Sequence, residues 1–580
     1  MSIRLKTRYE LGALPHAEHP MPQAMREDWL NLNGEWDFCK IDAAGNRSHE
    51  GKIIVPFSPE TVNSGIGEGF VLERGAKLRY FRTVTVDKSL VQGTTLLHFG
   101  AVDSACEVYL NGTLVGTHRG GFTPFTLNVS DHIKKGENTV EVIVRDEATR
   151  NGGARGKQSD ARGGIWYTPQ SGIWQTVWLE SAPKKYIKGF KITPNAFEKT
   201  VTVSLESDAP KCEIRVFDEG REILCEKFVG EVVLRYDFAL WSPESPKLYD
   251  FILTNAAGDS VRSYFGVRSY SRVLDKNGKV RLALNGKSYF FNGVLDQGYW
   301  SDGMLTYPCD QAAIDELQML KDMGFNTVRK HIKLEPMRWY YHCDRIGLAV
   351  WQDFPNGGGA YKFSHIAALP FIGIRHKDSD YRYFAREDGA ARTEFDGMVD
   401  EILSALYNVP SIAVWVPFNE GWGQFDSAKY TDYVLQKDPT RIVDSVSGWH
   451  DQGVGKTALR SLHIYYTPLR VPRDPRPVVL SEFGGYSMQT EGHVFDPDRE
   501  FGYKKFKTEE ELVAALRVLY VQKLKPLIAK GLCGAIYTQV SDVEEEINGL
   551  VTYDRAVQKV PTAVMREIND EIAAAAAAVQ

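Results

Sequence analysis

Residues 412–424 read IAVWVPFNEGWGQ. The opening five, IAVWV, are short, apolar and rich in β-branched side chains, which suits a strand buried on both faces, as in a parallel sheet. Pro417 breaks that run, and Asn419, Glu420 and a Gly-Trp-Gly loop follow. A carboxylate just past the C-terminal end of a buried strand stands where α/β barrels keep their chemistry. Residues 477–486, PVVLSEFGGY, repeat the arrangement: an apolar run ends in Ser481 and Glu482, with an aromatic residue and two glycines behind them.

One glutamate at a strand end is most often a cap or a surface group. Two in the same relative position, both in aromatic and glycine-rich surroundings, point to a single cleft lined by two carboxylates. Aromatic platforms beside such a pair are the minimum equipment for breaking a glycosidic bond.

Outward from these two strands, runs of β and helical character alternate. Strands are predicted over 288–295, 325–329, 348–351, 412–416, 442–445, 462–465, 477–480 and 535–539. Helical spacing covers 311–323, ending at Gly324, then 337–346 and 561–577. The alanine run that closes the last helix has nothing evident to bury and is expected to fray. Eight strands in this span predict a C-terminal (β/α)8 TIM barrel. Ahead of it the pattern is all β. Runs at 80–86, 94–99, 107–110 and 139–144, with Asn111-Gly112 as a hairpin turn, predict a β-sandwich of the jelly-roll kind. Alternation at 201–205, 213–216 and 249–253 predicts a small immunoglobulin-like β-sandwich acting as a spacer. The expected domains are 1–181, 182–274 and 275–580. The stretch 165–178, IWYTPQSGIWQTVW, fits a core strand pair or a ligand surface equally well.

Composition agrees with a soluble multidomain protein. The chain has 580 residues, too many for one core, with 43% hydrophobic and 25% charged residues. A net charge of −6 gives no reason to expect nucleic acid or an anionic membrane as partner. No apolar run is long enough to span a membrane, and the N-terminal MSIRLKTRYELGALPH lacks the apolar core of an export signal. A cytoplasmic location is expected. The seven cysteines are scattered without a CxxC pair, so neither a zinc site nor a disulfide framework is indicated.

Several motifs occur in order along the chain: WLNLNGEWDF from Trp29, PFSPE from Pro56, VDSACEVYLNGTLVGTHRGGFTPF from Val102 and SGIWQTVWLE from Ser171. LNGKSYFFNGV from Leu284, GFNTVRKHI from Gly324 and WYYHCDRIGLAVWQDFP from Trp339 continue the series, which ends with Asn419-Glu420 and Ser481-Glu482. Over nearly its whole length the chain resembles glycoside hydrolase family 2, which includes β-galactosidases, β-glucuronidases and β-mannosidases. The resemblance implies that Glu420 is the acid/base and Glu482 the nucleophile. It also implies an exo-acting, retaining hydrolysis of terminal β-linked sugars without a cofactor. The sequence departs from the family in two places. Leu295-Asp296-Gln297-Gly298 stands where many members have Asn-x-His-Glu, and Lys330-His331-Ile332-Lys333 replaces Ser-His-Tyr-Pro. The Asn-x-Lys pair with which glucuronidases hold a carboxylate is not recognisable, which argues against glucuronic acid. β-Galactosidase is the default expectation. β-Glucuronidase, β-mannosidase, β-glucosidase and α-L-arabinosidase specificities are the alternatives, and a non-catalytic carbohydrate-binding protein is the rival of another class. Family members often form dimers or tetramers, so a homo-oligomer is compatible with the chain, although no stretch marks an interface.

The retaining mechanism predicts carboxyl groups about 5–5.5 Å apart. Glu482 should be held ionised by donors such as Arg329 and Tyr465, and Glu420 kept protonated in a less polar setting beside Trp422. Asn419 is expected to donate to the sugar 2-hydroxyl. Asp296 and Asp353, at strand ends, are candidates for binding sugar hydroxyls, with a structural ion pair as the other reading. His331 and His463 are candidates on the same ground. Trp300, Trp449 and Tyr537 are candidates for the sugar platform. The acidic run DVEEE from Asp542 is expected to be a solvated loop, and no metal site is expected, because no HxH pair follows the first barrel strand.

Overall fold

A computed structural model describes residues 5–579, apart from 68, 148, 150, 151 and 454–458. The start of the N-terminal stretch, 1–4, lies outside the described residues.

Eight parallel strands form the C-terminal sheet: β1 (Phe291–Asp296), β2 (Thr327–Lys330), β3 (Ala349–Asp353), β4 (Ile412–Val416), β5 (Ile442–Val443), β6 (Arg460–Ile464), β7 (Val478–Gly484) and β8 (Leu532–Thr538). They follow the predicted runs in order. Their order in the sheet, β5-β4-β3-β2-β1-β8-β7-β6, is that of a barrel opened between β5 and β6. Side chains bridge the gap there: Ser447, just past β5, lies 3.4 Å from Ser461 and 3.0 Å from His463 on β6. Alternate residues face inward and outward. Leu295, Trp351, Val414, Val479 and Ile536 fill the interior, while Val294, Val350, Trp415 and Leu480 pack outward on the helices. The predicted helices are present as Asp310–Asp322, Met337–Ile346 and Thr562–Ala577. The first of them stops before Gly324, whose φ of 86° ends a helix at no steric cost. The alanine run does have a surface to bury, contrary to expectation: Ala576 is buried, and Ala575 and Val579 pack on the barrel's outer core.

Two antiparallel sheets, of six and four strands, lie ahead of the barrel around one apolar core that includes Trp36, Tyr80, Phe99, Val108 and Val142. Asn111 and Gly112 both have positive φ (51° and 80°) between the strands Ala105–Leu110 and Thr113–Arg119, as a two-residue hairpin turn requires. Seven more antiparallel strands, from Ile187–Asn195 to Ser260–Phe265, wrap a second core containing Val201, Ile214, Leu253 and Phe265. A single residue pair, Val229 with Glu231, joins the three-stranded and four-stranded halves of this unit, which gives it the form of an immunoglobulin-like sandwich.

The acidic run after β8 is not solvated. Asp542 pairs with Lys559 at 2.6 Å, and Asp542, Glu544, Glu545 and Glu546 are all buried. A loop from the first sandwich docks on them. Gly164 N donates to Glu545 (3.1 Å), Thr168 N to Glu544 (3.0 Å) and the Tyr167 hydroxyl to Glu546. Farther back on this loop, Arg155 N donates to the carbonyl of Asn356, beyond β3, at 2.9 Å. The loop therefore crosses the C-terminal mouth of the barrel. In the aromatic stretch 165–178, Tyr167, Trp174 and Trp178 are buried, while Trp166 remains part-exposed at that mouth.

Candidate active site

Glu420 lies past the end of β4 with φ +50°, in the left-handed region that a non-glycine residue occupies only under constraint. Gly421 and Gly423 (φ 75° and 61°) complete the tight loop. On β7, alternation from Leu480, which belongs to the outer core, would point Glu482 outward and Phe483 inward, yet Phe483 is in the outer core as well. The ladder slips at this point: Leu462 pairs with Leu480, but His463 pairs with Glu482, and the β8 side slips as well. This bulge leaves Ser481 and Glu482 facing the same side, a common device beside working sites.

Glu420 and Glu482 meet at His463. A carboxylate oxygen of each and a ring nitrogen of His463 all lie within 4.8 Å of one another. His463 Nδ1 is 2.6 Å from Glu420 Oε1, and Nε2 is 3.5 Å from Glu482 Oε1. Arg329 donates to Glu482 Oε1 at 3.1 Å, and the Tyr465 hydroxyl donates to Oε2. The two carboxyls are driven apart in acidity. Burial raises Glu420, its hydrogen bond to His463 works against this, and the charge of Glu482 adds to the rise. Burial also presses Glu482 upward, but His463, Arg329 and the Tyr465 hydroxyl outweigh it and hold the group below the ordinary carboxylate range. Tyr465 stays protonated, its pKa pushed far up by burial and by the Glu482 charge, and its ring stacks on Tyr503 at 3.6 Å.

Arg329 also orders its surroundings. Nε and Nη2 clamp Asp353 at 2.9 Å each, and Nη2 donates to Asn419 Oδ1 at 2.8 Å. That last bond turns the Asn419 amide so that its buried Nδ2 is left without an acceptor among the described residues. His331 Nδ1 lies 2.9 Å from Asp353, and burial followed by the nearby Lys157 charge keeps the ring neutral.

Four predicted contacts do not take the form expected. Asp353 is fully buried and both its oxygens are engaged by Arg329 and His331, so it positions those groups and offers nothing to a sugar. Asp296 is locked by Lys330 at 2.6 Å and by the Gly298 amide at 2.7 Å, which is the ion-pair reading. Trp300 is buried against Tyr9 and under the Arg555 guanidinium. Tyr537 is core, packed on Phe483 and Tyr520. Trp449, in contrast, is part-exposed 6.3 Å from the His463 ring and lines an adjoining cavity of about 370 Å³ with Tyr465 and Tyr466.

The sequence reading missed Lys157 and left Trp166 inside a stretch open to either a core or a ligand role; the loop of the first sandwich carries both to the mouth. Trp166 packs on Trp422 at 5.0 Å, and Lys157 Nζ lies 4.8 Å from the Trp422 ring centre. Glu420, His463 and Glu482 are also close enough to hold a metal ion. Doing so would break the hydrogen bond that joins His463 to Glu420, so the arrangement is suited to proton transfer. All seven cysteines are free. Among the described residues no helix is long and apolar enough to cross a membrane.

The fold is thus a (β/α)8 barrel with two carboxyl groups of opposed acidity past the C-terminal ends of its strands, the end where such barrels hold their sites. The family profile described as "Glycosyl hydrolases family 2, sugar binding domain" matches residues 60–183, and "Glycosyl hydrolases family 2, TIM barrel domain" matches 276–572. The chain belongs to glycosyl hydrolase family 2. It is 24% identical over 554 residues to a β-galactosidase of Photobacterium profundum, covering 81% of this chain and 49% of that one. The chain spans between 35% and 49% of the length of the first curated relatives it matches. Among solved structures it resembles a β-D-glucuronidase of Dictyoglomus thermophilum (TM-score 0.74, 18% identity, 95% of this chain and 98% of that). It also resembles a β-galacturonidase of Eisenbergiella tayi (TM-score 0.70, 18% identity, 95% and 98%).

Proposed function

We propose that the chain is a retaining exo-glycosidase that removes terminal β-linked sugars, organised as two β-sandwiches (1–181 and 182–274) and a catalytic barrel (275–580). The observation that carries this reading is the close approach of Glu420 and Glu482, with oxygens within 4.8 Å. Retaining enzymes hold their carboxyls about 5–5.5 Å apart, whereas inverting enzymes leave about 6.5–9.5 Å for a water. In this reading Glu482, kept ionised, attacks the anomeric carbon. Glu420, kept protonated, gives its proton to the leaving oxygen and later takes one from the water that releases the sugar. Asn419 donates its free Nδ2 hydrogen to the 2-hydroxyl, a bond that strengthens in the transition state. The loop laid across the barrel mouth supports exo action, since it narrows the cleft to a pocket. Galactose is the default glycone, and the names of the similar proteins add the uronic acids as the alternative.

A panel of 4-nitrophenyl β-glycosides tests this, with the product anomer followed by NMR. One glycoside should be cleaved with the β-anomer formed first, and Glu482→Gln should abolish turnover. An α-anomer formed first, or full turnover by the variant, would overturn the mechanism. Sugar binding with no turnover would favour the carbohydrate-binding rival.

A further inference from the structure

Three serine hydroxyls meet beside His463, where β5 and β6 part. Ser447 Oγ lies 3.0 Å from Ser481 on β7 and 3.4 Å from Ser461 on β6. Ser461 donates to Ser481, and Ser481 donates to the Leu462 carbonyl at 3.4 Å. All three serines are buried. A carbonyl can only accept, so it sets the direction in which the hydrogens run. Ser447 gives its one hydrogen to Ser481, and its oxygen turns lone pairs toward His463 Nε2, 3.0 Å away. Nε2 therefore carries the hydrogen of this contact, a tautomer that follows from the network around it.

Nε2 has a second acceptor in reach. Glu482 Oε1 lies 3.5 Å away, and a carboxylate draws a hydrogen more strongly than a hydroxyl does. Gly448 limits how far the ring can turn toward it: a Cβ at this residue (φ 84°) would stand 2.7 Å from the His463 ring. Ser447 is itself anchored at the backbone. Its N–H donates to the Phe418 carbonyl at 2.8 Å, and its carbonyl accepts from Glu420 N–H at 3.0 Å. The same residue thus holds the backbone of Glu420 and the ring that touches the Glu420 carboxyl. The titratable groups facing His463 are Glu420 past β4, Glu482 on β7, Asp353 on β3, Asp444 past β5 and His331 past β2, with Arg329 of β2 bound to Glu482. Among the described residues only the two glutamates come within ion-pair reach of the ring.

We propose that Ser447 is a positioning residue that commits His463 to Glu420 and away from Glu482. Its oxygen holds the Nε2 hydrogen, so Nδ1 is left to share the proton of the Glu420 carboxyl across 2.6 Å. When that proton moves from Glu420 Oε1 to Nδ1, it leaves a carboxylate and an imidazolium whose Nε2–H stays on Ser447. A place on Nδ1 draws the proton from the carboxyl, in line with the lowering that this bond exerts on Glu420. Glu482 keeps Arg329 and Tyr465 as its donors. The inference rests on the reading of the site as a glycosidase and adds the residue that decides which carboxyl the ring serves.

Two measurements on the full chain test this. In 15N NMR of protein labelled at histidine, the His463 signals are those lost in His463→Ala. Nε2 should be protonated in the wild type at pH 7, and a bare Nε2 would overturn the proposal. The kinetic test is Ser447→Ala, in which the Nε2 hydrogen passes to Glu482, favours its ionised form and weakens it as a nucleophile. The acid limb of kcat/KM should then move down by about one pH unit, opposite to the effect of losing the ring itself. The glycosylation burst of a 2,4-dinitrophenyl glycoside should slow by about 10-fold. Ser447→Thr keeps a hydroxyl and should return both toward the wild type. An acid limb left in place in Ser447→Ala, or lowered alike in both variants, would overturn the proposal. If Ser447→Ala does not fold, the NMR result on the wild type still decides. A protonated Nε2 in a protein that turns over no glycoside would uphold the commitment of His463 to Glu420 and sink the glycosidase reading. Turnover with Nε2 bare would do the reverse.

Discussion

Glu420 and Glu482 share one imidazole: His463 Nδ1 lies 2.6 Å from the first carboxyl and Nε2 3.5 Å from the second. This ring works to lower the pKa of both groups, through a hydrogen bond to Glu420 and through charge at Glu482. Its removal should raise both. The pH profile of kcat/KM is set on its acid side by Glu482, which must be ionised, and on its basic side by Glu420, which must keep its proton. In His463→Ala the whole bell should therefore move to higher pH, and its peak should fall by about 100-fold. A profile that only shrinks, with both limbs in place, would reduce His463 to a packing residue.

Glu420 is assigned the proton for the leaving group, so its loss should matter only where that proton is needed. Glu420→Gln should slow cleavage of a methyl or other alkyl glycoside by about 10²–10⁴-fold. A 2,4-dinitrophenyl glycoside of the same sugar leaves without protonation, and its glycosylation step should be nearly unaffected in a single-turnover burst. Equal losses on both substrates would place Glu420 outside acid catalysis.

The barrel was legible because most of its strands carry a short apolar run, as at 412–416 and 477–480, and such runs survive any detail of register. Direction at a strand end was not. Asp296, Asp353 and Tyr537 sit on the strands, at or near their ends, as read, yet the pleat and the ion pairs turn them into the wall, while the slip at Ser481 turns Glu482 out of it. A bulge has no one-residue signature in an apolar run. Asp542–Glu546 read as solvated because its partners, Gly164, Tyr167 and Thr168, belong to another part of the chain. Lys157 was missed for the same reason: its neighbours Trp422 and Glu420 come from the barrel, and a lone lysine in a Gly-rich loop looks like any surface cation.

Asp296 gives a test of structure against binding. With Glu335 it balances two buried ammonium groups, Lys330 and Lys333. Burial already pushes Lys333 down to about 8. Asp296→Ala leaves both lysines to share Glu335, and breaking a buried pair in this way costs about 3–5 kcal/mol. The expected result is a large fall in the urea midpoint, measured with the slope unchanged. A raised KM at full stability would return Asp296 to the role of sugar ligand.

Glu60 links stability to pH far from the barrel pocket. It is buried in the first sandwich, where burial pushes its carboxyl up to about 8, against the opposing hydrogen bonds from Ser171. Its folded-state pKa therefore lies above its unfolded value of about 4.3. The folded protein binds the extra proton between the two, so its stability is full below the unfolded value and is lost as pH rises toward 8. The span is worth a few kcal/mol, about 1.4 per unit. Glu60→Gln carries no charge to bury and can still meet Ser171, its amide oxygen accepting from the backbone N–H and its amide nitrogen donating to the hydroxyl. The variant should melt at a higher temperature than the wild type at pH 8 and at nearly the same temperature at pH 4.5. Equal melting temperatures at both pH values would mean that Glu60 is ionised in the folded protein and is compensated by its hydrogen bonds.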